Sequence, residues 1–147
     1  MKNIFFSTAL ALLVASAALA HNGVKNAAVM TRMNAMSGIG AEMKTLGKMA
    51  KGAAAFDANT AKTAAAVIAK HAANTPALFE AQEDDPKSEA TAMIWTNFAD
   101  FTEKAAAMET VALGLSKSIS TPDDLGAALK ALGDTCKACH TGYRQKR

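Results

Sequence analysis

The chain has 147 residues, of which half are hydrophobic and only 5% are aromatic. Its 16 Lys and Arg residues against 13 Asp and Glu residues give a formal net charge of +3, too small for the basic surface of a nucleic-acid-binding protein. Abundant alanine and scarce strand-forming residues argue against a β-sandwich and favour an all-α protein.

Residues 1–20 have the features of a cleaved export signal. Lys2 gives a short positive start, an apolar run extends from Ile4 to Ala18, and Ala18-Leu19-Ala20 is a small-x-small cleavage site. A membrane anchor needs about 20 apolar residues, more than this run contains. We therefore expect a soluble mature domain of residues 21–147, located in the periplasm of a Gram-negative bacterium and without a membrane span.

The mature sequence then predicts four amphipathic helices in chain order. The first runs from about Asn22 to Ala50, and the second runs from Asp57 to about Asn74, where Pro76 ends or kinks it. The third runs from near Ser88 to Ser116, and the fourth starts with Thr121 as its cap. Helices joined by short connections predict an antiparallel, up-down-up-down four-helix bundle. In this topology the first and fourth helices are neighbours that run in opposite directions.

Helical periodicity also predicts which faces are buried. The apolar residues of the third helix alternate spacings of four and three, which is typical of a bundle seam: Ile94, Phe98, Phe101, Ala105, Met108, Ala112 and Leu115. The fourth helix has one apolar face with Leu125, Leu129, Leu132, Cys136, Cys139 and Tyr143. Glycines of the first helix, such as Gly38, are expected to admit a flat cofactor or a neighbouring helix. His71 is expected to face solvent.

The fourth helix carries the motif Cys136-Lys137-Ala138-Cys139-His140, which contains both cysteines of the chain. Cys-x-x-Cys-His is the attachment signature of a c-type haem, in which each cysteine bonds to one vinyl group and the histidine ligates the iron. Residues three and four apart share a helix face, so all three side chains can address one macrocycle. A redox dithiol is less favoured because no strand pattern accompanies the motif. A zinc site would need more ligands, and His21 and His71 are distant in sequence.

Around this motif the chain resembles the class II c-type cytochromes, the group of cytochrome c′ and cytochrome c-556. The resemblance covers nearly all of the mature chain and depends on the haem motif, Gly133-Asp134-Thr135 before it, Ile94-Trp95, and residues 46–52 at the end of the first helix. It implies a periplasmic protein with one haem c bound through two thioethers and His140 as the proximal ligand. Dimerisation through the first two helices is common in that group.

Within the group, cytochromes c′ are typically five-coordinate and bind nitric oxide or carbon monoxide. The c-556 branch is six-coordinate, with a methionine from the first helix. The family's spacing, counted back from Leu46-Gly47, implies Met36 as this distal ligand. Met33 is the alternative ligand, and simple core packing is the other interpretation of Met36. The resemblance also implies a haem propionate contact for Arg32, whose alternative is a solvated side chain near a helix start.

These observations predict a mono-haem one-electron carrier with His140 and Met36 as iron ligands. The alternative is a cytochrome c′-like protein that binds nitric oxide or carbon monoxide at an open sixth position. We expect no enzymatic activity, because no distal histidine or acid–base pair is visible beside the expected site. The expected partners are periplasmic or membrane-bound redox proteins, with small gas ligands under the alternative.

Overall fold

The structure is a computed structural model that describes residues 23–146. These residues form five helices: α1 (Ala27–Ala50), α2 (Ala58–Leu78), α3 (Met93–Thr96), α4 (Phe98–Ser118) and α5 (Asp124–Tyr143). The four long helices form a bundle in which α1 and α4 each pack against both α2 and α5. The predicted all-α four-helix bundle is confirmed. The export signal and His21 lie outside the described residues.

The first helix begins at Ala27, later than predicted, because the residues before it are held in another conformation. Asn26 is an extended N-cap, and its side-chain oxygen accepts a hydrogen bond from the N–H of Val29 at 3.0 Å. The carboxylate of Asp85 accepts further bonds from the N–H groups of Lys25 at 2.8 Å and Asn26 at 3.0 Å. These donors are satisfied from outside α1, so nothing favours extending the helix backwards.

The second helix continues through Pro76 to Leu78, so the predicted end near Asn74 was wrong by about one turn. A proline removes one N–H donor and disturbs the preceding turn. Here it lies in the last turn, where little of the helix remains to be broken. The N–H of Phe79 bonds to the carbonyl of Pro76 at 2.9 Å and closes that turn.

The third predicted helix is divided and starts later than Ser88. Only Met93–Thr96 and Phe98–Ser118 are helical, separated by Asn97 with φ −135° and ψ 49°. Before them, residues 89–91 pair with residues 143–145, for example through a 2.7 Å bond from the N–H of Gln145 to the carbonyl of Glu89. We call this pairing the C-terminal clasp. Because it uses the backbone groups of residues 89–91, those residues cannot join a helix.

The fourth predicted helix begins at Asp124, and its N-cap is Asp123, which makes no side-chain cap bond. The predicted cap, Thr121, was therefore wrong by two residues. Thr121 lies in the turn before the helix, where the Asp124 carboxylate accepts bonds from the backbone N–H groups of Ser120 and Thr121, both at 2.8 Å.

The core consists of two clusters of buried residues. The aliphatic cluster contains Leu46, Ile68, Leu125 and Leu132 among others, and the aromatic cluster contains Phe79, Ile94, Phe101 and Tyr143. Most residues of the predicted α4 seam and α5 face are buried, and the rest are half-buried. Along α5, the motif lies between Leu132 of the aliphatic cluster and Tyr143 of the aromatic cluster.

Candidate haem site

The last helix brings the three motif side chains together. Residues 136–140 are helical within α5, so Cys136, Cys139 and His140 share one side of the helix. All three are half-buried, and Cys139 packs against the aromatic cluster. Both cysteines are free thiols. Of the motif predicted to lie on the core face of the last helix, Cys139 contacts the core, whereas His140 also lines a surface concavity.

The protonation of these side chains suits covalent haem attachment. Burial raises the pKa of both thiols above the ordinary value, so both are protonated at neutral pH. Burial lowers the pKa of His140; the positive charge of Arg144 acts in the same direction and Glu89 opposes it. The imidazole is therefore neutral at pH 7, and one nitrogen lone pair is available to a metal.

A polar contact that the sequence analysis did not anticipate ties α4 to α5 beside Cys139. The Tyr143 hydroxyl donates to the Asp100 carboxylate at 2.5 Å, and Lys104 forms an ion pair with the same carboxylate at 3.3 Å. Burial and this bond raise the pKa of Tyr143 to about 12, and the bond lowers the pKa of Asp100. The i,i+4 spacing of Asp100 and Lys104 was a usable signal for their pairing, but nothing in the sequence indicated the link to Tyr143.

The C-terminal clasp fixes the chain just beyond His140. Arg144 forms an ion pair with Glu89, with Nε and Oε2 separated by 2.6 Å, and the Thr91 hydroxyl donates to the Gly142 carbonyl at 3.0 Å. Arg144 and Glu89 are far apart in sequence, so periodicity could not reveal this pair. The clasp holds the last turn of α5, which carries the predicted iron ligand.

The first helix, α1, carries two half-buried methionines, Met33 and Met36. Met36 packs against the aliphatic cluster, and α1 contacts α5. Met36 thus lies in the bundle interior, on the helix expected to face the motif. Ligation of the iron by Met36 or Met33 stays a prediction.

Arg32 is not the solvated side chain that was one interpretation of its position. It is 3% exposed, and burial lowers the pKa of its guanidinium. Its Nε, Nη1 and Nη2 atoms donate to the carbonyls of Leu78, Glu83 and Ala81 at 2.8, 2.8 and 2.6 Å, respectively. The guanidinium also lies over two aromatic rings, with Cζ 4.6 Å from the ring centroid of Phe79 and 5.5 Å from that of Trp95. Arg32 therefore caps the C-terminal end of α2. Its contact with a haem propionate stays a prediction.

His71 was expected to face solvent, and this was wrong. The side chain is half-buried against α1, where a methyl group added to Gly38 would lie 2.6 Å from Nε2 of His71. Gly38 thus admits a neighbouring helix, which was one of its two predicted roles. Such close approach across helices depends on register, which the local sequence does not encode.

The arrangement fits a covalently bound haem c. It offers two free thiols on one helix face, a neutral imidazole adjacent to them, and apolar clusters before and after the motif. Within residues 23–146, no group of three or more His, Cys, Asp or Glu side chains is placed to hold a metal ion. None of the helices described for this part of the chain is long and apolar enough to cross a membrane.

Comparison with known proteins agrees with this site. The family model described as cytochrome C′ matches residues 27–144. The chain belongs to the cytochrome c′ family. It is 37% identical to cytochrome c-556 of Agrobacterium tumefaciens (strain B2A) over 120 residues, covering 81% of this chain and 98% of the relative.

Solved structures show the same likeness. Cytochrome c′ from Rhodopseudomonas palustris superposes with a TM-score of 0.76 at 27% identity, covering 84% of this chain and 99% of that chain. The nitric oxide complex of a cytochrome c′ variant from Alcaligenes xylosoxidans gives 0.69 at 28% identity, covering 81% and 94%. Proteins of the cytochrome c′ family carry one covalent haem c, and this chain has two cysteines for it. At the level of the family, its role is that of an electron-carrying or gas-binding haem protein.

Proposed function

We propose that this protein is a periplasmic one-electron carrier, without enzymatic activity, in which His140 and Met36 are the axial ligands of one haem c. The observation that supports the proposal is that the helices carrying the two ligand candidates, α5 and α1, contact each other. His140 lies on α5 between the aliphatic and aromatic clusters. On α1, Arg32 contacts Phe79 of the aromatic cluster, and Met36, one turn later, packs against the aliphatic cluster.

The surrounding residues suit an electron carrier. When bound, the haem supplies an iron that alternates between ferrous and ferric states. His140 is neutral, half-buried and followed by the C-terminal clasp, which restrains its helix turn. A methionine thioether as second ligand tends to raise the reduction potential, and apolar surroundings favour the less charged state. A site with fixed ligands needs little reorganisation when an electron is gained or lost.

Comparison with relatives and the N-terminal sequence supports the rest of the proposal. Several relatives are cytochromes c-556, and the resemblance of this chain to that branch implies a methionine ligand. The export signal expected in residues 1–20 supports a periplasmic location. Its expected redox partners are periplasmic or membrane-bound proteins.

The second candidate function is binding of nitric oxide or carbon monoxide at an open sixth position. It is favoured by the solved nitric oxide complex of a cytochrome c′ relative. In that case Met36 packs over the distal face without bonding to iron, as its contact with the aliphatic cluster would also allow.

Substitution of each methionine by leucine separates these functions, with Met33→Leu as the matched control for Met36→Leu. Leucine conserves volume, so both variants should fold. If Met36 is a ligand, Met36→Leu should convert the haem from low-spin to high-spin and lower its potential by on the order of 100 mV, since axial ligands dominate haem potentials. Met33→Leu should change neither. An effect confined to Met33→Leu would assign the ligand to Met33, and no effect in either variant would refute methionine ligation.

A further inference from the structure

We propose that the surface around His140 is a docking site for a small acidic redox protein. The inference rests on the proposed function, because it names the class of partner that would exchange electrons there. The surface is a concavity of about 500 Å³ lined by Lys137, His140, Thr141, Arg144, Gln145 and Lys146. Three of these residues are cationic, and none has a carboxylate.

The charges of this concavity are available to a partner. Lys137 and Lys146 are exposed, and within residues 23–146 no ion pair is shown for either ammonium group. Arg144 is balanced by Glu89, whose ion pair holds the guanidinium at the rim. The two lysines therefore provide the net positive charge of the surface.

Of the four carboxylates within residues 80–85, those of Glu83 and Asp85 are bound by donors outside the concavity. Asp85 accepts bonds from the backbone N–H groups of Lys25, Asn26 and Lys87, and Glu83 accepts one from the Asn26 side chain at 2.7 Å. Both carboxylates are thus directed towards the start of α1. Thr141 and Gln145, which also line the concavity, are uncharged side chains.

The position of His140 connects this charge to electron transfer. A rim of one sign raises the rate of encounter with an oppositely charged partner and orients it, while contributing less to tight affinity. A partner protein whose carboxylates bind Lys137 and Lys146 would contact this protein beside His140, the candidate proximal ligand. Rapid, salt-dependent and weak association is what a diffusible carrier requires.

The test uses the ¹⁵N-labelled holoprotein and oxidised flavodoxin, a small acidic electron-transfer protein, as the probe. A double variant, Lys137→Gln with Lys146→Gln, removes two charges from the concavity. The matched control, Lys51→Gln with Lys117→Gln, removes two exposed charges at the C-terminal ends of α1 and α4: Lys51 is the C-cap of α1, and Lys117 lies in the last turn of α4. Amide shift changes map the contact, and their titration gives the affinity.

At an ionic strength of about 10 mM, we expect shift changes centred on residues 137–146 and an affinity about tenfold lower in the first double variant. The control should lose less than about twofold, and the difference should vanish near 0.5 M salt, where charges are screened within a few ångströms. Equal losses in both variants, or shift changes centred elsewhere, would overturn the proposal.

Voltammetry of the same holoproteins keeps this outcome apart from the proposed function. A reversible one-electron wave with no flavodoxin binding would overturn only the docking surface. Absence of a reversible wave would refute the carrier function whatever the binding result. An unchanged potential in the first double variant would show that its loss of affinity does not come from a disturbed haem site.

Discussion

Arg32 is the side chain whose replacement tests the packing of the site most sharply, and Arg32→Lys is the informative change because it keeps the charge. The guanidinium makes three bonds to carbonyls between 2.6 and 2.8 Å, and an ammonium group can replace about one of them. A hydrogen bond to a charged group contributes about 1.5–3 kcal/mol. Ala81 and Glu83 are exposed, so their carbonyls can recover water, whereas Leu78 is half-buried. We therefore expect a loss of about 2–4 kcal/mol, which includes the weaker contact with Phe79 and Trp95.

Urea unfolding of the holoprotein, followed by circular dichroism, measures this loss. Lys44→Gln on the exposed face of α1 is the control and should change the unfolding free energy by less than about 0.5 kcal/mol. A similarly small change for Arg32→Lys would refute the capping role. The reduction potential of the same variant addresses the predicted propionate contact, because a change in that contact alters the charge environment of the haem.

Three further predictions follow from individual contacts. Gly40→Ala, whose methyl group would meet no described atom within 4 Å, should raise the unfolding free energy by about 0.5–1 kcal/mol. Gly38→Ala should raise it less or lower it, because its methyl group would meet the His71 ring. Equal gains in the two variants, or a difference between them that persists after His71→Ala, would contradict the close contact between Gly38 and His71. Backbone donors hold the pKa of Asp85 below its ordinary value of about 3.9, so the stabilisation that this carboxylate provides is present above that pH and is lost as the pH falls below it. Asp85→Asn should therefore reduce the fall of the melting temperature at acid pH. A melting-temperature profile that is the same with and without the substitution would refute this role of Asp85. Cys139→Ala should leave at most one thioether and lower the yield of holoprotein, and undiminished covalent haem by mass spectrometry would refute the attachment assignment.

The helical fold could be predicted because its signals are local and repeated. The α4 seam and the apolar face of α5 are periodic, so their burial followed from residue spacing. The errors occurred where distant segments compete for the backbone. Residues 89–91 pair with residues 143–145 instead of extending a helix, and no local pattern encodes that pairing.

In the candidate site, too, the features with local sequence signals could be predicted, and the contacts between distant residues could not. Cys136, Cys139 and His140 are adjacent in sequence, so their common helix face followed from spacing alone. The partners of Arg32 are backbone carbonyls from the end of α2 and the turn after it, which carry no side-chain signature. The Tyr143–Asp100 bond and the Arg144–Glu89 pair join residues more than 40 positions apart, so only the folded structure reveals them.

The visible spectrum of the purified holoprotein, oxidised and reduced, with and without carbon monoxide, tests the central claim most directly. A protein with His140 and Met36 bound to iron should be low-spin, with a sulfur-to-iron charge-transfer band in the oxidised form and no change on addition of the gas. A high-spin spectrum that shifts readily with carbon monoxide would contradict the carrier assignment. It would make the protein a five-coordinate, gas-binding cytochrome c′.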